Sequence, residues 1–407
     1  MATALSSPTA PQERITTVDV LRGFALFGIL YAHMIMWYTA GPLPQELMTH
    51  FQDIFSGVAF GVYGVLVMAK FFSIFSFLFG LSFYIQINSL AKRGDNVALR
   101  FGWRLALLGV VGITHHALWR GDILSIYVPL GFLLIFARHL SNKALLILGA
   151  VLVLNLPTKF IELIALLRTG KADFIGGDYA TEATAYYHFV KDSGFIDMLL
   201  GNLAALPTKI DYQLTSGRLW ITFGFFLFGM LVGRLGWFER ADSDAIAKRV
   251  FKRSWQLLLL CVVLGAAIGG AAVALGANMQ EKSWAYWCSE YVIDAFNAAF
   301  TVFYICGIAL LMHKPRWARR LAPLADIGKM ALTSYLMQTL FGLLLFYQVG
   351  LALFLKTSPG LNALLCFGLF AVQVLFARWW LSRFNYGPLE WLWRSATFFK
   401  WQPMVKA

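Results

Sequence analysis

Residues 17–36 read TVDVLRGFALFGILYAHMIM, a run of 20 residues that is apolar except where Asp19, Arg22 and His33 interrupt it. A helix of that length crosses the hydrocarbon core of a bilayer. An acid, a guanidinium and an imidazole are costly at that depth and mark an interior, polar function. Arg22 and His33 stand 11 residues apart. At 100° and 1.5 Å per residue they share one face within roughly 20° and lie about 16 Å apart along the axis. Asp19 falls one turn before Arg22 on the same stripe. The alternative reading is structural: an Asp–Arg pair near one membrane face, with His33 bonded to a backbone carbonyl.

The rest of the chain extends this reading to an all-α, polytopic membrane protein. It is 59% apolar and 14% charged, with a mean hydropathy of +0.66, which excludes an ordinary soluble domain. Apolar windows place helices near 17–37, 70–91, 98–118, 122–138, 143–157, 217–236, 251–276, 284–312, 325–347 and 361–383, ten in all. Alternate turns are basic: Lys92, Arg93 and Arg100; Arg138 and Lys143; Arg240 to Arg253; Lys314 to Arg320. The turns between them are almost free of Lys and Arg, so the positive-inside rule puts both termini in the cytoplasm. The net charge of +13 then reports topology and contact with anionic headgroups, and no basic patch stands apart to suit nucleic acid. Four cysteines, Cys261, Cys288, Cys306 and Cys366, lie in or beside spans without metal or disulfide spacing.

Five regions follow. Residues 1–16 form a polar, disordered cytoplasmic tail. Residues 17–157 hold spans one to five and the candidate catalytic core. Residues 158–216 are a long external loop whose stretches 160–168 and 195–210 read as amphipathic helices forming a cap. Residues 217–383 hold spans six to ten, and 384–407 an amphipathic cytoplasmic tail that anchors at the interface or closes an inner entrance. Residues 51–69 make the following span too long for one crossing and read as an interfacial or re-entrant helix, with Lys70 as a snorkelling anchor or a cavity-facing cation. Five spans on either side of the loop suggest a two-repeat, transporter-like plan, but no motif recurs between the halves.

Three further constellations carry chemistry. The hairpin GITHHALWRGDILSIY joins His115, His116, Arg120 and Asp122. It suits a His–Asp proton relay, while Asp122 equally suits a helix N-cap. No third ligand at metal spacing accompanies the histidines, so no metal is expected. Glu290, Asp294 and Asn297 share one face of span eight, in its outer half; that face either pairs with Arg218 or binds a polar acceptor. Gln338 in span nine is either helix–helix glue or a ligand contact.

VDVLRGFALFGIL, KFFSIFSFLFGLSF, HHALWRGDILSIY, GKMALTSYLMQ and YGPLEWLWR together resemble the landmark segments of the YeiB-like bacterial membrane proteins, an uncharacterised group, and span residues 18–394. That group is similar to a wider superfamily of transmembrane acyltransferases. These include the lysosomal heparan-sulfate glucosaminide acetyltransferase and bacterial sugar O-acetyltransferases, in which a first-helix Arg followed eleven residues later by His looks catalytic. The resemblance carries that pattern onto Arg22 and His33. Nearer relatives often have Asn where His33 stands, which leaves open whether His33 or the outer His115 and His116 does the chemistry.

The expected function is acyl transfer from cytoplasmic acetyl-CoA or another acyl-CoA to an unidentified acceptor at the outer side of the bacterial inner membrane. Arg22, supported by Asp19, would hold donor phosphate. His33, His115, His116 and Asp122 would provide the catalytic groups, and Lys70, Arg120, Arg218, Glu290, Asp294, Asn297 and Gln338 the substrate contacts. The rival readings are a transporter of a small polar or lipid-linked molecule and a membrane scaffold or lipid sensor. A homo-oligomer is left open.

Overall fold

A computed structural model describes residues 15–48, 50–92, 94, 96–169, 179–277 and 283–406. Most of the expected N-terminal tail lies outside the described residues. The first part of the chain forms α1 (Thr16–Ile35), α2 (Gln45–Met48), α3 (Ile54–Val62), α4 (Lys70–Lys92), α5 (Val97–Leu118), α6 (Leu124–Ala137) and α7 (Asn142–Val153). The external segment forms α8 (Leu156–Thr169), α9 (Tyr179–Asp192), α10 (Phe195–Ala204) and α11 (Leu206–Thr215). The remainder forms α12 (Arg218–Arg234), α13 (Ser243–Ala274), α14 (Trp284–Met312), α15 (Pro315–Lys329), α16 (Ala331–Phe346), α17 (Pro359–Arg383) and α18 (Pro388–Phe398). The side chains of Asn96, Ser141, Ser283 and Ser358 N-cap α5, α7, α14 and α17.

Among the described residues, seven helices are long and apolar enough to cross a membrane, or nine if each of two bent pairs is one span. The protein is thus an all-helical, multi-pass membrane protein. The fourth expected span is α6, whose 14 residues with Pro129 inside fall short of a full crossing. The fifth expected span continues into the external segment, because α7 and α8 meet at a 54° bend. Asn155 sits there at φ 54, a left-handed conformation that Asn tolerates. The ninth breaks more sharply: α15 and α16 meet at 82° around Met330, and α15 alone carries the basic inner residues.

Residues 51–69 correct the sequence reading. α3 passes through a π-helical turn, Tyr63–Val67, and joins α4 with no bend as sharp as those two, so Ile54–Lys92 forms one apolar run of 39 residues. The interruption is Ala69, at φ 66, where a side-chain-bearing residue is strained. Lys70 is not a snorkelling anchor either. It is 1% exposed, with Nζ donating to the Gly64 carbonyl at 3.4 Å and lying near the Phe296 and Phe300 rings. The break frees carbonyls in the helix, and an ammonium turned inward satisfies one of them.

The ionisable first helix is the centre of the bundle. Its span is 72% buried, against 17% for α13 at the lipid-facing edge. α1 packs on α4, α14, α15, α16 and α17, and α4 packs on α12, which in turn covers α7. At its inner end α1 meets α15 backbone to backbone. A Cβ on Gly328 would lie 1.9 Å from the Asp19 carbonyl oxygen, and one on Gly23 would lie 2.0 Å from that of Leu324. Small residues allow this approach between membrane helices, and here it fixes the turn that carries Asp19 and Arg22.

Candidate functional site

The polar residues of α1 fall into two stations. At the inner station Arg22 Nη1 donates to Asp19 Oδ1 at 2.6 Å, and Nη2 donates to Ser82 Oγ of α4 at 2.6 Å. Asp19 is buried, whereas the Arg22 side chain keeps 23% of its surface. The guanidinium is therefore oriented by a carboxylate and a hydroxyl yet remains reachable, an arrangement suited to binding an anion.

The outer station gathers side chains from α1, the α5–α6 hairpin, α11, α12 and α16. His33 is partly exposed and packs edge-on against Trp119, ring centroids 4.6 Å apart, with Tyr38 at 5.3 Å. Among the described residues its imidazole makes no hydrogen bond, so the carbonyl-bonded alternative does not hold. Trp119 is fixed by its indole N–H donating to the Tyr38 carbonyl at 2.7 Å. Gly121 permits this packing, since a Cβ there would lie 2.2 Å from the indole ring.

His115 is held at both nitrogens: Nδ1 bonds Asp122 Oδ1 at 2.6 Å, and Nε2 meets Thr339 Oγ1 of α16 at 2.8 Å. Asp122 also accepts from the backbone N–H groups of Leu124 and Ser125. Both readings of that residue are realised at once, as a cap of α6 and as the partner of an imidazole. His116 turns the other way, and its Nδ1 accepts from Lys209 Nζ at 3.2 Å. Lys209 is buried; it also donates to the Asp122 carbonyl and to Ser125 Oγ, and it lies 3.7 Å from Asp122 Oδ2. Arg120 is drawn out of this network and sits over the Tyr186 ring at 4.6 Å.

Other candidates have different partners from those expected. Asp294 pairs with Lys159 of α8 and not with Arg218. Arg218 lies over the Phe72 ring at 4.7 Å, in the neighbourhood of His33, Tyr63, Tyr127 and Lys209. Asp294 and Asn297 line a cavity of about 30 Å³ with Ser73 and Ile221, room for a water molecule. Glu290 neighbours Asp294, Lys159 and Glu162 on that side. Gln338 is glue: its Nε2 donates to the Leu26 carbonyl and to Gln373 Oε1, both at 3.1 Å, tying α1, α16 and α17 together. It is 1% exposed, and its Oε1 is left without a hydrogen-bond partner.

Sequence reading missed Lys159, Lys209, Thr339 and Glu390. Nothing local to the first three marks them, since their partners lie 135, 93 and 224 residues away. Glu390, in the α18 landmark, accepts from the N–H groups of Leu332 and Thr333 at 2.7 and 3.1 Å and from Thr333 Oγ1 at 2.6 Å. It caps α16 from another helix, where Met330 offers no side-chain cap. Burial pushes its carboxyl up, against the pull of these hydrogen bonds. Arg104 stacks on Trp393 at 4.3 Å, so α18 is docked on the bundle rather than floating as an interfacial anchor.

Lys209 has a measurable signature. Burial brings its ammonium down from 10.5 to about 8, although Asp122 pulls the other way. Between those values the unfolded chain binds this proton more tightly, so the Lys209 contribution makes stability rise with pH from about 8 to about 10.5. Denaturation of detergent-solubilised protein at about pH 7.5 and 10 should show the rise, and Lys209→Met should lack it. An equal rise in the variant would exclude Lys209 as its source.

Residues 232–400 match the family described as protein of unknown function (DUF418). Uncharacterized protein YxaH of Bacillus subtilis is 29% identical over 98% of this chain and 98% of its own length. Uncharacterized protein YeiB of Escherichia coli is 29% identical over 95% and 96% respectively. The similarity thus runs through both stations of α1, the outer hairpin and the docked α18, and the chain is similar over nearly its whole length to the uncharacterised YeiB and YxaH membrane proteins.

Proposed function

We propose that this protein is a bacterial inner-membrane acyltransferase that takes an acyl group from acyl-CoA on the cytoplasmic side and delivers it to an acceptor near the outer side. The observation that carries the reading is the pair of stations on α1. Arg22 is an oriented, reachable guanidinium, and His33 an imidazole with no hydrogen bond among the described residues. The helical rise puts them about 16 Å apart, near the reach of a pantetheine arm.

In this scheme His33 takes the proton of an acceptor hydroxyl or amine as that group attacks the thioester carbonyl. The carbonyl–sulfur bond then breaks, and the proton passes to the departing thiolate. Trp119 and Tyr38 hold the imidazole plane. Leu26 and Ile29 are buried on the stripe between the stations, so a donor spanning both requires α1 to part from its neighbours. The direct test is binding of acetyl-CoA and longer acyl-CoAs to purified protein. Arg22→Ala should weaken binding about 10- to 100-fold, the scale of a lost charge-assisted hydrogen bond. Unchanged affinity in the variant would remove Arg22 from the donor site.

The bent pairs α7–α8 and α15–α16 favour a second reading, because transporters build midplane sites from interrupted helices. Substrate counterflow in proteoliposomes lacking acyl donor would support it over acyl transfer.

A further inference from the structure

Arg218 is a cation whose expected partner has been taken by another residue. The acidic face of α14 lies on the same outer side, but its Asp294 is paired with Lys159. Among the described residues no carboxylate approaches the Arg218 guanidinium within ion-pair distance; its contact is the π-face of Phe72. The carboxylate of the outer network, Asp122, is engaged by His115, Lys209 and two backbone N–H groups. An arginine partly buried at the outer end of a span, without a counter-ion, is costly unless an anion completes it.

The surroundings indicate where such an anion would come from. α10 and α11 turn Met198, Asn202 and Lys209 inward onto the site. Their other faces expose Phe195, Ile196, Leu200, Leu203, Ile210 and Leu214. An apolar face of this extent on a membrane protein is the surface of a helix lying against lipid. The wall beside Arg218 thus presents an apolar outer face suited to contact with a lipid leaflet.

We infer that Arg218 binds the phosphate of a lipid headgroup entering sideways from the outer leaflet, and that the acceptor is a phosphate-bearing lipid. This rests on the acyl-transfer reading only for the word acceptor; the binding itself does not. Phosphate on Arg218 would leave the polar end of the headgroup beside the imidazole of His33. The guanidinium, seated on Phe72, presents its N–H fork to the phosphate oxygens.

The test uses delipidated full-length protein in detergent, with bound lipid counted by native mass spectrometry. The probes are phosphatidylglycerol, diacylglycerol of the same chains, and inorganic phosphate, all without acyl-CoA. Saturable phosphatidylglycerol binding should weaken tenfold or more in Arg218→Gln and only a few-fold in Arg218→Lys. It should be unchanged in Arg249→Gln, which removes an exposed charge at the inner side. Equal binding by wild type and Arg218→Gln overturns the inference. So does an equal loss in Arg249→Gln, which would mean bulk attraction. Inorganic phosphate displacing the lipid at matched concentration overturns the lipid assignment. Because no donor is present, these outcomes are independent of whether Arg22 binds acyl-CoA.

Discussion

His33→Ala is expected to lower acyl transfer by about 10²- to 10⁴-fold, the contribution of a positioned general base. The protein should still fold and insert. The imidazole holds nothing in place: it makes no hydrogen bond among the described residues and only leans on Trp119 and Tyr38. Removing it orphans no buried donor or acceptor, which is where truncation of a polar side chain becomes costly. Single-turnover transfer from acyl-CoA, measured beside the thermal unfolding of the same preparations, separates the two effects. Full turnover by the folded variant would dismiss His33 as the base.

Asp122→Ala should do the opposite and damage the fold first. The carboxylate ties together His115, Lys209 and the first turn of α6, and it is 2% exposed. Its removal leaves an imidazole and two N–H groups without their acceptor, and a buried ammonium without its counter-charge. Breaking one partner of a buried ion pair costs about 3–5 kcal/mol. Lys209 keeps its bonds to the residue-122 carbonyl and to Ser125 but loses the charge that offsets its burial, so the contact of α11 with the hairpin should loosen and expose the external segment to limited proteolysis. Asp122→Asn keeps an oxygen for the α6 cap but not the charge, and should fall between. A proteolysis pattern and unfolding midpoint like those of wild type in Asp122→Ala would show that the network contributes nothing to stability.

The contrast between these two residues explains what the amino-acid sequence disclosed. The α1 stripe was legible because helical periodicity is local: Asp19, Arg22 and His33 need only 3.6 residues per turn to share a face. The His115–Asp122 pair was legible for the same reason, lying seven residues apart across one hairpin. Lys209 and Lys159 were not, since their partners lie up to 93 and 135 residues away and nothing local distinguishes a buried lysine from a solvated one. Gln338 reads from sequence as packing or binding, and only the structure shows that its NH2 group is taken by Gln373 and the Leu26 carbonyl. The span count suffered where hydropathy is blind to direction. A hydropathy average places one span over 325–347 and does not register the 82° turn at Met330 within it.

The capping of α16 by Glu390 has a consequence for how the protein is made. The N–H groups of Leu332 and Thr333 have no acceptor within their own helix at this break, and the one they use lies 58 and 57 residues further along the chain. When α16 leaves the ribosome its acceptor has not yet been synthesised, and the whole of α17 must be inserted before α18 can reach back. Until then the bend at Met330 has no lock, and α16 is free to sample other angles against α1. Assembly of the bundle therefore finishes at its C-terminus, with the last helix acting as a latch on a joint inserted much earlier.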